Sequence, residues 1–203
     1  MPVFNGARFV REAVASALRS QDAELIVVDD GSTDETPLIV RQLGLEATLQ
    51  KNLGPAAARN RGIAQASGDL IAFLDADDFW SESHPLRARE ELERTGADLV
   101  FGETQCFSDG EPFGPRFHTF QLGSAVCRRD LFQRAGGFNE AMRAGEDVEW
   151  FLRARESGAS IVAIPELSLY YRLHEGNRGR IHQSSRAGLL DALHESLQRR
   201  RNR

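Results

Sequence analysis

Cysteine is scarce. Cys106 and Cys127 are the only two in 203 residues, too few for a disulfide framework and without the spacing of a zinc site, so they read as small reduced core residues. A basic excess is also missing: the formal net charge of -5 argues against a dedicated nucleic-acid binder, which carries a positive surplus over its domain. Long apolar runs are absent as well. No stretch reaches the ~20 residues that span a bilayer, and the start MPVFNGARFV has neither the basic flank nor the apolar centre of a signal peptide, so the expected setting is cytoplasmic. The run Arg199-Arg200-Arg201-Asn202-Arg203 offers peripheral contact with anionic lipid, although a short charge run is more often simply solvated. No internal repeat and no low-complexity linker precedes it.

What is there is a folding composition, 41% hydrophobic and 27% charged, in which two periodicities alternate. Phe9, Val10, Ala13, Val14, Ala17 and Leu18 recur at helical spacing, and ELIVVDD then gives the continuous apolar run of a buried parallel strand. Ser32 with Glu35 has the spacing of a capping box, with Pro37 in the first turn of a helix carrying Leu38, Ile39 and Leu43. Gly54 and Pro55 open an Ala-rich helix to about Ala66, and Gly68 releases the chain into the strand LIAFL. Pro85 starts a charged helix to Thr95, ADLVFG gives another strand, and Ser108, Asp109 and Gly110 turn the chain. Strands alternating with helices specify a doubly wound α/β layer. The expected division is a main domain over residues 1–185 and a C-terminal helix with a basic tail over 186–203.

In such open sheets, ligands bind beyond the carboxyl ends of the strands. Two strands here end in acids: ELIVV runs into Asp29 and Asp30, and LIAFL into Asp75, Asp77 and Asp78. A single Asp at a strand end commonly serves a turn or a cap, and that reading suits Asp34 or Asp78 taken alone. Acids converging on one edge instead repel one another and call for a cation.

Five blocks then stand in a telling order: Pro2-Val3-Phe4-Asn5; Asp29-Asp30-Gly31-Ser32-Thr33-Asp34; Asn52-Leu53-Gly54 through Ala58-Arg59-Asn60-Arg61-Gly62; Asp75-Ala76-Asp77-Asp78; and Gly137-Phe138 through Glu146-Asp147-Val148-Glu149-Trp150. This ordered set resembles the family-two inverting glycosyltransferases, over residues 2 to about 174. The resemblance implies the A-type glycosyltransferase fold, a Rossmann-like, mostly parallel sheet flanked by helices. It also implies a nucleotide-sugar donor, UDP-linked by family habit, a saccharide, lipid-linked or protein acceptor, and Mn²⁺ or Mg²⁺ as cofactor. Hard oxygen ligands suit those ions, and a divalent cation neutralises the charge growing on a departing diphosphate.

Residue by residue, the resemblance makes Asp77 the direct metal ligand and Asp75, beside Ala76, a contact to donor sugar, ribose or metal-bound water. Pro2, Phe4 and Asn5 fall in the donor-binding block, Phe4 stacking on the base, for which a core aromatic is the plain alternative. Asp30 accepts a base N–H while Asp29 supports the loop. Arg59 reaches base or phosphate with its planar fork, a surface salt bridge being the bland reading. Asp147, opening an amphipathic helix, takes the family's base position: Glu146 and Glu149 oppose its ionisation and the helix dipole favours it. SLYYRLHEGNRGR resembles the family's last strand and closing loop, with His174 a candidate metal ligand and Arg178 and Arg180 candidate diphosphate contacts. Trp80 is expected to line the cleft and Trp150 to lie in the core.

Two departures from the family pattern stand out. Members carry an apolar strand leading into the Pro-x-aromatic-Asn block and this chain begins at Met1-Pro2, so the expectation is that a buried strand ahead of Phe4 is missing and that Met1 is internal to the natural chain. The segment between Trp80 and Gly123 is short, which suits a compact acceptor or a shallow site. Two other readings compete. One is a catalytically lapsed nucleotide- or partner-binding domain, against which an intact Asp147 speaks. The other is an Asp-x-Asp phosphatase, which needs Thr or Val where Phe79 stands.

Overall fold

The computed structural model describes residues 1–20, 23–142, 144–176 and 182–201, without the side chains of 182–187. Arg178 and Arg180 lie outside the described residues. A first sheet is wholly parallel, with order β1 (Pro2–Val3), β2 (Val27–Asp29), β3 (Ala47–Leu49). Its crossovers are α1 (Val10–Ala17) and α2 (Thr36–Gln42), which seal a core of Val3, Val10, Val14, Val27, Ile39 and Val40. The capping-box pair is not used. Glu35 occupies the N-cap without a side-chain bond, and Asp34 caps instead, its Oδ1 accepting from Thr36 N at 2.9 Å and its Oδ2 from Ala7 N at 3.1 Å. Ser32 Oγ is engaged elsewhere, accepting from Asn5 N at 2.9 Å.

After α3 (Pro55–Gln65), a second, six-stranded sheet is built from β4 (Leu70–Ala72), β5 (Phe79–Trp80), β6 (Leu99–Ser108), β7 (Glu111–Phe117), β8 (Ala125–Arg128) and β9 (Ile161–Arg172). The order is β4-β8-β6-β9-β5, with β7 on β6. Only β6 and β9 run parallel in it. The parallel character read from the sequence is thus carried by the first sheet and by this pair. Asp109 and Gly110, both at positive φ (55° and 86°), close the tight turn that makes β6 and β7 antiparallel.

Helices α4 (Leu86–Thr95), α5 (Leu131–Ala135) and α6 (Glu146–Glu156) cover the second sheet, and α7 (His182–Arg201) packs on α6. Beneath α6 lies an aromatic core of Phe73, Phe132, Phe138 and Trp150, with Phe132 and Trp150 stacked at 4.6 Å. Trp150 is fully buried, as its sequence context indicates. Trp80 is not at the cleft. It is buried with Leu74 and Leu169, and its indole donates to Gly123 O at 2.8 Å. Within the terminal run Arg200 and Arg201 are exposed, as a solvated end would be, whereas Arg199 donates to Glu149 Oε1 at 2.8 Å and to Glu156 Oε2 at 2.7 Å, bolting α7 to α6. Gly145 and Gly188 let the two backbones meet, since a Cβ at Gly145 would stand 2.7 Å from the Gly188 carbonyl.

Candidate active site

The end of β2 is wired to its neighbours by two carboxylates. Asp29, fully buried, accepts from Ser32 N at 2.7 Å through Oδ1, while its Oδ2 has no partner among the described residues. Asp30 takes three donors: Gln50 Nε2, Leu53 N and Gly54 N, each at 2.8 Å. These bonds shape the loop that leads into α3, and they leave one lone-pair direction on Asp30 Oδ2. Asn5 sits at φ 50°, a conformation its side chain tolerates, and accepts from Thr33 N at 2.8 Å, tying the end of β1 to the β2 loop. Beside it Phe4 is 39% exposed. Phe4 is therefore not a core aromatic. Pro2 lies in β1 and Ala76 is buried against Val3, so both support the pocket's backbone.

Beyond β4 the acids Asp75, Asp77 and Asp78 have three different environments. Asp75 is half exposed and is gripped by Arg59, whose Nη2 lies 2.8 Å from Oδ1 and 3.2 Å from Oδ2. Asp77 pairs with His174, Nε2 to Oδ2 at 3.1 Å. Burial and the Asp75 charge push its carboxyl above the ordinary range, and the His174 bond opposes that. Asp78 is buried and holds the backbone of β9, its Oδ1 accepting from Arg172 N at 2.8 Å. Burial with the Asp77 and Asp75 charges raises it well above an ordinary carboxyl. Of the three, Asp75 and Asp77 are partly exposed and Asp78 is part of the frame.

Arg59 is the cation that these acids require. It is 6% exposed, and its Nη1 donates to Glu146 Oε1 at 2.7 Å. Burial disfavours its charge, but Asp75, Glu146 and Asp147 outweigh that, so the guanidinium stays ionised. The small residues Ala56, Ala57 and Ala58 on α3 give it room to pass between β4 and α6. It is neither a surface salt bridge nor directed at solvent. One side chain thereby joins the β4 acids to the first turn of α6, where Asp147 stands.

Asp147 is half-buried, and its Oδ1 accepts from Val148 N at 2.8 Å. Burial raises its carboxyl above the usual range, Arg59 and the Val148 bond hold it down, and Glu146 and Asp75 push it up; the raising causes win. Gly145 at φ 76° is the N-cap, so the cap residue itself has no side chain to offer the first amides. Glu149, by contrast, is buried and consumed by Arg153 and Arg199.

Two contributors were not read from the sequence. Arg172 donates through Nε to Asp77 O at 2.8 Å, pairs with Glu12, and lies over the rings of Phe9, Phe79 and Phe107. Glu146, taken before only as a neighbour of Asp147, is the second anchor of Arg59. The signal for each is a partner 94 or 87 residues away, which local periodicity does not report.

The residues expected to ligate metal have the chemistry for a hard divalent cation whose shell is shared. Among the described residues no three His, Cys, Asp or Glu side chains form a complete cage. Mg²⁺ and similar ions, however, are held in nucleotide sites by one or two carboxylates with the remaining positions filled by phosphate and water. Asp77 with His174 at its side, and Asp75 two residues before, supplies that partial set.

A sequence profile described as Glycosyl transferase family 2 matches residues 1–148. The chain belongs to this family. Among curated relatives, glycosyltransferase AglE of Haloferax volcanii is 31% identical over 79% of this chain and 62% of its own length. The succinoglycan biosynthesis protein ExoU of Rhizobium meliloti is 31% identical over 76% of this chain and 55% of its own. The chain thus spans little more than half of such family members. Solved structures share the fold: Mannosyltransferase PcManGT from Pyrobaculum calidifontis, in complex with GDP-Man and Mn²⁺, superposes with a TM-score of 0.78 at 19% identity, over 97% of this chain and 62% of that one. S. aureus TarS 1-349 in complex with UDP-GlcNAc gives 0.74 at 21% identity, over 87% and 58%. No helix among the described residues is long and apolar enough to cross a membrane.

Proposed function

We propose that this chain carries the catalytic domain of a metal-dependent, inverting glycosyltransferase that moves a sugar from a nucleoside diphosphate, with UDP the first donor to test, to an acceptor hydroxyl. The observation that carries this reading is the Arg59 bridge between Asp75 and Glu146, which ties the end of β4 to the first turn of α6, the turn that carries Asp147, although they lie far apart in sequence. Relatives and fold neighbours support it, two of the latter having nucleotide-sugars bound.

The nucleotide lies across the ends of β1 and β2, its base against Phe4 and its polar edge toward the remaining lone pair of Asp30, with Asn5 holding the two loops together. Asp77, with Asp75 and His174, would hold the divalent cation, which supplies positive charge to the leaving diphosphate. Asp147 orients the acceptor hydroxyl on the opposite face of the anomeric carbon. As the acceptor oxygen bonds to that carbon and the bond to the diphosphate breaks, the hydroxyl proton passes to Asp147, and the anomeric configuration inverts. Its raised carboxyl makes it a better proton acceptor than an ordinary aspartate.

The test is a donor screen. UDP- and GDP-sugars are added to the protein with Mn²⁺ or with chelator, thermal shift reports binding, and the product anomer is read by NMR against candidate saccharide acceptors. Stabilisation by a nucleotide-sugar only with metal, and a product of inverted configuration, support the proposal. Binding without transfer to any acceptor in the panel favours the lapsed-domain reading, and a product of retained configuration refutes inversion.

A further inference from the structure

The family profile ends at residue 148, one position past Asp147. Helix α7, which packs on α6, lies wholly beyond that point. At the start of α6 the two backbones touch. A Cβ at Gly145 would stand 2.7 Å from the Gly188 carbonyl, and a Cβ at Gly188 would stand 2.5 Å from Ala144 O and 2.6 Å from Ala144 C. One turn further, Arg199 Nη1 donates to Glu149 Oε1 at 2.8 Å. At the far end of α6, Arg199 Nε donates to Glu156 Oε2 at 2.7 Å and Ser196 Oγ donates to Glu156 Oε1.

Gly188 has no purpose within its own helix. It lies inside α7, where alanine is the better helix former, and what requires glycine there is the approach of Ala144. Glu149 makes a matching demand through its side chain. It is 1% exposed and is shared between Arg153 of its own helix and Arg199 of α7. A carboxylate so buried is costly unless it is paired, so turning α6 away from α7 leaves Glu149 short of one cation. From α3, meanwhile, Arg59 holds the first turn through Glu146 at 2.7 Å. The turn that carries Asp147 is therefore fixed between two supports, Arg59 on one element and Gly188 with Arg199 on another.

We infer that α7 is a positioning element for Asp147, Gly188 setting how deep the first turn of α6 sits and Arg199 setting the rotation of that helix. This role rests on the proposed reading of Asp147 as the base. Gly188 and Arg199 act on it through Gly145 and Glu149 and touch neither donor nor acceptor. A base must lie within hydrogen-bond reach of the hydroxyl whose proton it takes, and a displacement of about 1 Å at such a site costs on the order of 10²-fold in rate. A methyl group at Gly188 forces a displacement of that size, since ordinary contact begins near 3.4 Å and the Ala144 oxygen stands at 2.5 Å.

The experiment compares Gly188→Ala, Arg199→Met and Ala192→Gly with the unaltered chain. Ala192 is buried on α7, and its replacement weakens that helix without adding an atom against α6. The Asp147 carboxyl is titrated by ¹³C NMR, its resonance assigned by its loss in Asp147→Asn, and hydrogen exchange is followed at the amides of residues 146–149. Arg59 and the Val148 bond hold this carboxyl down against burial, Glu146 and Asp75, so loosening the turn raises its midpoint further. Gly188→Ala and Arg199→Met show that rise and speed exchange at least about tenfold, whereas Ala192→Gly lowers Tm and leaves the midpoint in place. With the donor and acceptor found by the screen, Gly188→Ala lowers kcat on the order of 10²-fold and leaves donor KM within a few-fold. An Asp147 midpoint unmoved in both variants, or moved as far by Ala192→Gly, overturns the positioning role and leaves α7 a purely stabilising helix. Arg199→Met introduces no clash and decides the matter by the same criteria if Gly188→Ala does not fold. Asp147→Asn separates the two claims: transfer retained by it refutes the base, whereas transfer lost in it but unchanged in Gly188→Ala refutes only the role of α7.

Discussion

Replacing Arg59 by Met should be costly, and the cost should shrink in acid. The substitution keeps the stem of the side chain but removes the charge held at 2.7 Å from Glu146 and 2.8 Å from Asp75. Removing one partner of a buried pair costs about 3–5 kcal/mol, because a charge is left without compensation. Here the two partners are unequal. Glu146 is 9% exposed and bears most of that penalty, whereas Asp75 is 46% exposed and is screened by water, so its share is small. We expect a loss of about 3 kcal/mol near neutral pH, which lowers Tm by roughly 6–12 °C in a chain of this size. The sign with pH follows from the charges left behind. Burial already raises the Asp147 carboxyl and Arg59 holds it down, so without Arg59 it is raised further in the folded state; the variant is penalised above the ordinary carboxylate range and the penalty fades as pH falls through the folded value. Thermal melts of both proteins across a pH series measure this, and the double variant with Glu146→Gln should recover part of the loss as a coupling energy. A deficit below about 0.5 kcal/mol, or one unchanged between neutral and acid pH, would refute the argument that Arg59 neutralises this cluster. Arg59→Lys should recover only part of the stability, since one ammonium cannot reproduce a fork that serves two carboxylates.

The other predictions concern the donor and the proton. Asp77→Ala should abolish any gain in UDP affinity that Mn²⁺ or Mg²⁺ gives over chelator, and calorimetry showing equal affinity with and without metal in the unaltered protein would remove the metal from the proposal. Asp147→Asn should abolish transfer while leaving donor affinity within a few-fold, the pattern of a group that works in the transition state; substantial residual transfer excludes it as base. Because the Asp147 carboxyl is raised and must be ionised to accept a proton, kcat should fall as pH drops, with a midpoint above the ordinary value of 3.8, and a profile flat down to that value would contradict the assignment. Phe4→Ala should weaken nucleotide binding by about 1–3 kcal/mol, the worth of one stacked base, with no change in Tm beyond about 1 °C, as fits a side chain that is 39% exposed.

Local chemistry made much of this protein legible in its sequence. Continuous apolar runs ending in acids located β2 and β4, Gly54 and Pro55 marked the start of α3, and Pro85 marked the start of α4, which ends at Thr95. These signals act within a few residues, through φ restrictions, missing N–H groups and side-chain period, so the chain states them by itself. The five ordered blocks likewise pointed to the glycosyltransferase family to which the chain belongs. The identity of partners was decided only by closure of the fold. Ser32 and Glu35 satisfy the spacing of a capping box, yet Asn5 arrives from 27 residues away to take the serine hydroxyl, and Asp34 does the capping. Trp80 follows three acids and reads as a cleft residue, but the pairing of β5 with β9 turns it into the core. Arg59 could have served a phosphate; its place between Asp75 and Glu146 depends on α3 and α6 packing on the same sheet. A pair of charges pays no attention to sequence distance, and the chain between them carries no period that records their meeting. The sequence therefore determined which groups are available at the strand ends, and tertiary packing decided which of them answer one another.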